Sequence, residues 1–559
     1  MKRLSLIWFV LGLAVSLFGQ APTCYRVYLS DKNNTPYSIN NPSAYLSQRA
    51  IDKRMRFSIP ITEQDLPINL QYKQQILALD SQMQPLAVSK WMNTFTVYCP
   101  DSTVIPQILD LPFVDSILPV GAYQLHDNPV AQAVPENQAP IIQNTISPSK
   151  DTMDYGKGFV QIALNNGHLL HSEGFRGEGM LIAVIDAGFR IIEETPYYQD
   201  LVSSGRFLGK YSLLPNLVDT LSVGGYEGDH GTDITSVMAA NSPGELIGTA
   251  PAASFVLIHS EWVGSEQLVE EDFWARAAEI ADSIGADVVN SSLGYCDFRD
   301  FPQANYPHAE LDGQHSVASR CATILGEKGI VVCVSAGNHG NDSLYYIGRP
   351  ADAFDILTIG ACTSDSLIAG FSSHGYTADS RVKPDVTAHG VHTFCFTPYP
   401  YYPYNFVMLG YYSGTSMSCP IIAGLSACLW QAMPQYTSTE IMQIIRESSH
   451  LYNNPNPDFG YGIPDFYKAY KTHICSSEQK PLPLGVYPNP VTDKLHLINH
   501  DGNIQSISIY NAAGQLVLQH TTPQSFFLEI DVTHLSQGFY VGTATLEGNH
   551  KATFKFVKK

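Results

Sequence analysis

Five short apolar runs constrain this chain more than any other feature. Leu181–Ile185, Phe255–Ile258, Val288–Ser292, Ile330–Ser335 and Ile356–Gly360 are continuous rather than alternating. A strand that is apolar at every position is covered on both faces, which is the habit of parallel sheets. Between the runs lie segments of helical spacing, Asp233–Ala240, Phe273–Ile284 and Val317–Lys328. Strand and helix in alternation predict an α/β fold over residues 155–475, a parallel sheet with helices on both faces. In such sheets, sites gather at the carboxyl ends of the strands.

The full length, 559 residues, is too great for one core, so the flanks are read as separate units. Residues 1–21 predict a secretory leader: Lys2 and Arg3, an apolar run from Leu4 to Phe18, then Gly19-Gln20-Ala21. Residues 22–120 read as a strand at Tyr25–Leu29, an inserted basic helical stretch at Ser43–Met55, a helix at Leu70–Leu79, a hairpin from Leu86–Lys90 to Thr94–Tyr98, a short helix at Val104–Leu109 and a strand at Val114–Val120. That order predicts a small ferredoxin-like α+β unit. Its first and third strands run antiparallel, which brings Cys24 and Cys99 to one end of the sheet, and a disulfide between them is expected. Residues 121–154 are rich in Pro, Asn and Gln and read as an exposed linker open to proteolysis. From 484 to 559 short alternating strands, with a hairpin turn at Asn511-Ala512-Ala513-Gly514, predict a small β-sandwich. The net charge of −20 offers no basic patch and speaks against a nucleic-acid partner. No His/Cys pair has zinc spacing and no Asp-rich loop has the form of a calcium hand.

Four polar residues fall at the places where a parallel sheet builds its site. Asp186 ends the Leu181–Ile185 strand, His230 precedes Gly231-Thr232 at a helix start, and Asn338 follows the Ile330–Ser335 strand within Ser335-Ala336-Gly337-Asn338. Ser416 lies in Ser413-Gly414-Thr415-Ser416-Met417-Ser418, a small-residue turn opening into the apolar run that ends at Trp430. Singly each has a dull reading: a turn-capping Asp, a helix-start His, a turn-forming Asn, an N-cap Ser. Jointly they supply what a serine nucleophile needs. Serine requires an adjacent base, His titrates near neutrality, and a buried carboxylate orients and stabilises the imidazole. A side-chain amide aimed at a developing oxyanion contributes roughly 3–4 kcal/mol. Pro420 is expected in the first turn of the helix, where its missing N–H would have no partner.

Val184-Ile185-Asp186-Ala187-Gly188, His230-Gly231-Thr232, Ser335-Ala336-Gly337-Asn338 and Gly414-Thr415-Ser416-Met417-Ser418 together resemble the subtilisin-like serine proteases, with the acid, base and nucleophile in that family's chain order. Gly248-Thr249-Ala250-Pro251, Ser291-Ser292-Leu293-Gly294 and Lys383-Pro384-Asp385-Val386 support the likeness. The resemblance implies a secreted endopeptidase acting through an acyl-enzyme, with Asp186 as carboxylate, His230 as base and acid, Ser416 as nucleophile and Asn338 as oxyanion donor. It implies that Ser292, Leu293 and Gly294 form the edge that pairs with a polypeptide substrate. It further implies that residues 22–120 are a prodomain, an intramolecular inhibitor and chaperone cut away within 121–154. No cofactor is required by that chemistry, and calcium sites in such proteins use scattered ligands that leave no motif. The chain departs from the family at Ala187, where Ser or Thr is usual, at Asp233, where a second His is common, and at Tyr295, where Gly is common. Tyr487-Pro488-Asn489-Pro490, Ile509-Tyr510-Asn511 with Gly514, and Leu535-Ser536-Gln537-Gly538-Phe539-Tyr540 resemble the C-terminal sorting domain of Bacteroidetes proteins exported by type IX secretion. That implies the secretion machinery as a partner and a secreted or surface location. Two other readings bear weighing. A catalytically silent surface-binding protein on the same fold gains nothing from keeping all four polar residues. An α/β-hydrolase carries its serine in Gly-x-Ser-x-Gly and ahead of the acid and His, unlike this chain.

Overall fold

The computed structural model describes residues 21–122, 153–214, 229–262, 264–398, 407–475, 484–499, 503–525, 527–546 and 551–559. The expected leader, but for its last residue, and the body of the expected linker, 123–152, lie outside the described residues.

The N-terminal unit runs β1 (Cys24–Leu29), α1 (Gln48–Arg56), α2 (Leu70–Leu77), β2 (Gln84–Ser89), β3 (Thr94–Tyr98), α3 (Ile105–Leu109) and β4 (Val114–Gly121). The strands form one antiparallel sheet in the order β2-β3-β1-β4, the ferredoxin-like arrangement read from the sequence. Ser47 starts the inserted helix α1 by accepting the Ala50 N–H at 3.1 Å. The expected Cys24–Cys99 disulfide is absent, and both side chains are buried. The register explains this. Cys24 stands opposite Tyr98, so Cys99 is one residue further on and points to the other face. Cys24 packs with Ala87, Trp91 and Val120 on the face turned toward the next domain, whereas Cys99 packs with Val97 and Ile108 in the unit's own core.

The central domain continues with α4 (Phe159–Ala163), α5 (Gly167–Ser172), β5 (Leu181–Asp186), α6 (Gln199–Ser203), β6 (Phe207–Ser212), α7 (His230–Ala239), β7 (Asn241–Ser242), β8 (Leu246–Ile247), β9 (Ser254–His259), α8 (Glu270–Ile284), β10 (Val288–Ser291), α9 (Val317–Glu327), β11 (Val331–Ser335), β12 (Leu357–Cys362), β13 (Val386–His389), β14 (Thr393–Pro398), β15 (Val407–Tyr412), α10 (Thr415–Ala432), α11 (Ser438–Ser448) and α12 (Phe466–Cys475). Seven parallel strands lie in the order β13-β12-β11-β10-β5-β9-β6. Along β5, Ile182 and Val184 face one core while Leu181, Ala183 and Ile185 face the other, which is why the run is apolar throughout. The first core is capped by α10 and α7, the second by α8 and α9. The strand order reverses between β5 and β10, so the carboxyl ends of these two strands form the natural crevice. The antiparallel pair β14–β15, β6 and β13 escaped the apolar-run criterion, because their sequences mix polar residues with short apolar ones.

The N-terminal sheet docks on α8 through charge. Arg26 holds Asp272 with Nε and Nη2 each at 2.7 Å, and both side chains are buried. Ser89 Oγ and Trp91 N donate to Glu279 Oε1 at 2.6 and 3.0 Å. Arg54 spans Asp282 at 2.7 Å and Asp65 at 3.0 Å. Arg49 and Lys53 pair with Asp287 at the start of β10. The end of β4 lies against the segment preceding α8, where Val269 N donates to Val120 O at 2.9 Å and Ala122 N to Gln267 Oε1 at 2.5 Å.

The tail runs β16 (Gly485–Tyr487), β17 (Lys494–Ile498), β18 (Ile504–Asn511), β19 (Leu516–Ser525), β20 (Phe527–Asp531), β21 (Gly538–Leu546) and β22 (Lys551–Lys558). Two antiparallel sheets, β16-β17-β20 and β19-β18-β21-β22, enclose a core of Leu495, Leu497, Ile507, Ile509, Ala544 and Phe556. The β18–β19 turn is held by Asn511 Oδ1, which accepts from Ala513 N and Gln515 N at 3.0 Å each, with Gly514 at φ 76°.

Candidate active site

Asp186 is fully buried at the end of β5, and its Oδ1 accepts from His230 Nδ1 at 2.6 Å. A carboxylate only accepts, so Nδ1 carries the proton and Nε2 is left as the basic nitrogen. Ala187 N donates to the same Oδ1 at 2.7 Å, while Oδ2 is buried with no hydrogen-bond partner. At position 187 the alanine brings no hydroxyl that could reach that oxygen. His230 is the first residue of α7 and keeps 27% of its side chain exposed, so the ring spans from the buried acid to solvent. Asp233, one turn along α7, is buried with Oδ1 unpaired, and burial pushes its carboxyl well above the ordinary range.

Ser416 is the second residue of α10, and from Thr415 to Trp430 it alone is not buried. The expected place of Pro420 in the first turn is corrected: it is the sixth helical residue, and its missing N–H leaves the carbonyl of Ser416 without its helical donor. Ser292 Oγ takes that role, donating to Ser416 O at 2.9 Å. In return Ser416 Oγ donates to Ser292 O at 3.2 Å. Ser292 follows β10, whose Ser291 lies in register with Ile185, so Ser292 and Asp186 leave adjacent strand ends side by side. The serine and the histidine thus hang from neighbouring ends of one sheet.

Asn338, after β11, accepts from Thr415 N at 2.8 Å and from Thr415 Oγ1 at 3.1 Å through Oδ1. These donors fix the amide orientation and turn Nδ2 toward Gly414. A methyl added at Gly414 would stand 3.5 Å from Asn338 Nδ2 and 3.7 Å from both Asn338 Oδ1 and Ser416 N, so the amide and the helix-start N–H border the position that glycine keeps small. Thr415 also accepts the Gly337 N–H at 3.1 Å, tying the β11 loop to the helix start. Of the expected substrate edge, Ser292 is buried, Leu293 half-buried and Gly294 exposed. Tyr295, which stands where Gly is common, turns inward: its ring is buried and its hydroxyl donates to Glu261.

Cys419, one turn after Ser416, is no rival nucleophile, because burial pushes its thiol well above the ordinary range. Sequence reasoning missed Thr415 and the pair Arg190–Asp229, which lie within the motifs' own loops but whose partners are distant in the chain. Among the described residues no group of three His, Cys, Asp or Glu side chains is placed to hold a metal ion, and no helix is long and apolar enough to cross a membrane.

A parallel sheet whose reversal point gathers an Asp–His pair, a helix-start serine and an asparagine amide defines a serine-hydrolase class of site. Residues 177–463, just over half of the chain, match the subtilase family, Peptidase S8, and the chain belongs to that family. Residues 24–135 match the Peptidase S8 propeptide domain of Bacteroidota, and residues 485–559 the secretion system C-terminal sorting domain, which marks the chain for export. Serine protease AprX of Bacillus subtilis is 28% identical over 305 residues, 51% of this chain and 64% of that protein. Subtilisin E of Bacillus subtilis is 30% identical over 298 residues, 53% of this chain and 66% of that protein. The matched stretch thus spans less than two thirds of these relatives. Fervidolysin from Fervidobacterium pennivorans, a keratinolytic enzyme, shares the fold with a TM-score of 0.52 at 17% identity, covering 96% of this chain and 76% of that one.

Proposed function

We propose that this chain is an exported serine endopeptidase made with its own inhibitor. Ser416 Oγ attacks the carbonyl carbon of a peptide bond while His230 Nε2 takes its proton. Asp186 holds the ring and stabilises the imidazolium, a role its unpaired buried Oδ2 favours, since a nearby positive charge offsets an unsatisfied acceptor. Asn338 Nδ2 and Ser416 N receive the oxyanion. His230 then returns the proton to the leaving amine, and water releases the acyl group by the same route. Ser292, Leu293 and Gly294 offer a backbone edge to an extended polypeptide. No cofactor enters any step. Residues 22–120 act as the intramolecular inhibitor until cut within 121–154, and the tail hands the chain to the secretion machinery.

The observation that carries this reading is the 2.6 Å contact of a fully buried Asp186 with a partly exposed His230, taken together with the hydrogen bonds that tie Ser416, the one residue not buried between Thr415 and Trp430, to Ser292 at the neighbouring strand end. The test compares wild type with Ser416→Ala. Wild type is expected to lose its N-terminal unit, hydrolyse unfolded casein and react with a serine-directed fluorophosphonate; Ser416→Ala does none of these, its rate falling by at least about 10⁴-fold. Gly414→Ala is expected to fold but to lose about 10- to 100-fold in kcat, because its methyl fills the oxyanion space. Wild type and Ser416→Ala behaving alike after removal of the N-terminal unit by an added protease would sink the reading in favour of a silent binding protein.

A further inference from the structure

The contact between Asp186 and His230 joins a strand end to a helix start that lie 44 residues apart in the chain. The loop after Asp186 braces the first turn of α7 residue by residue. The Gly188 carbonyl and the Phe189 ring press on Gly231, where an added methyl would meet each at 2.5 Å. The Arg190 carbonyl accepts from Thr232 Oγ1 at 2.9 Å. Arg190 Nε and Nη2 donate to Asp229 Oδ1 and Oδ2 at 2.7 and 2.6 Å, with the two side chains only 10% and 5% exposed.

Two features set this pair apart from a packing contact. Asp229 occupies the N-cap of α7, where an aspartate ordinarily bonds the helix amides, yet it makes no cap hydrogen bond and gives both oxygens to Arg190. The next residue, Ile191, is buried at φ 58°, a left-handed conformation disfavoured for a β-branched side chain. The loop therefore forgoes both a cap and a relaxed backbone at the point where it grips the residue before His230. A guanidinium fork against a carboxylate fixes orientation as well as distance.

We propose that Arg190 and Asp229 are positioning residues that set the His230 ring on the Asp186 carboxylate. The inference rests on the protease reading. Removing the fork lets α7 shift relative to β5, and a misplacement of about 1 Å at a reacting group can lower the rate about a hundredfold. Substrate binding along the 292–294 edge does not pass through this brace.

The experiment uses the full chain, matured, as wild type, Arg190→Lys, Asp229→Asn and the double variant, with melting midpoints recorded. The kcat and KM for a chromogenic peptide are measured together with the rate of Ser416 labelling by an uncharged fluorophosphonate. Expected is a fall of about 10- to 100-fold in both kcat and labelling rate, KM held within about twofold, and a double variant no slower than the worse single one. Wild-type kcat in either single variant overturns the inference, as does a rise in KM alone, or losses that multiply in the double variant in step with its melting midpoint. If one single variant does not fold, the other decides. An unlabelled wild type overturns the protease reading and this inference with it; a labelled wild type with unaltered variants overturns this inference alone.

Discussion

Helices α8 and α10 cover opposite faces of the same sheet, yet they are built from opposite materials. From Thr415 to Ala432, α10 contains no charged residue, and its side chains are buried except Ser416 and the last two. Helix α8 buries Glu270, Glu271, Asp272, Glu279 and Asp282. The apolar helix packs chiefly within its own domain, with Phe57 of the N-terminal unit against Trp430, and removing it from water is favourable by itself. Glu270 and Glu271 are satisfied within the central domain, by Gln267 N and Trp262 N and by Ser316 and Val317 N, whereas Asp272, Glu279 and Asp282 take Arg26, Arg54, Lys90 and the Ser89–Trp91 turn of the N-terminal unit as partners. One helix is core with Ser416 at its head; the other is the surface on which the N-terminal unit docks, as the proposed release of that unit requires. Charge makes that difference, since ionised side chains regain water when uncovered and apolar ones do not.

The contrast can be broken most strongly at Arg26. Arg26→Met leaves Asp272 buried without its cation, and docking of the N-terminal unit is expected to weaken by about 3–5 kcal/mol. Retention of residues 22–122 by the nicked protein on a sizing column checks this; unchanged retention would show that apolar contacts alone hold the unit. The apolar helix answers to a different change. Leu425→Ala, at a fully buried side chain packed on Gly167, is expected to cost about 2–4 kcal/mol of global stability with retention unaltered. Calorimetry of the matured protein reads it.

A smaller effect sharpens the same point through pH. Burial by itself would raise the Asp287 carboxyl, but Arg49 and Lys53 outweigh it and hold it below its ordinary range. Arg54 and Lys328 do the same for Asp65. A depressed carboxyl pKa contributes stability that is complete above about pH 4 and lost as pH falls further. Retention is therefore expected to be flat from neutrality down to about pH 4 and to drop below it, while Arg49→Ala lessens the drop. A loss centred between pH 5 and 7 would point to histidine instead.

The local signals in the chain were sufficient for much of the architecture. The five apolar runs became β5, β9, β10, β11 and β12, with ends shifted by a residue or two, because burial on both faces leaves a continuous pattern. The N-terminal and C-terminal units were legible from the order and alternation of their strands. Asp186, His230, Asn338 and Ser416 stood out because each sits where a regular element stops or starts, and such ends are marked by Gly and small residues. Less was legible where meaning depends on a distant partner. The Cys24–Cys99 expectation used the right sheet but not its register, and one residue of register exchanges the two faces.

What the sequence by itself determined, then, is which segments are strands, which are helices and which polar residues lie at their ends, since those follow from periodicity and turn chemistry within a dozen residues. Tertiary structure alone decided that β5 and β10 lie side by side, so that Asp186 and Ser292 leave the sheet together. It alone decided that Ser292 completes the helix opened by Pro420, and that Arg190 spends its charge on Asp229 rather than on solvent. Such contacts join residues 39 to 124 positions apart. Their energy depends on separation in space and on exclusion of water, neither of which a local pattern records.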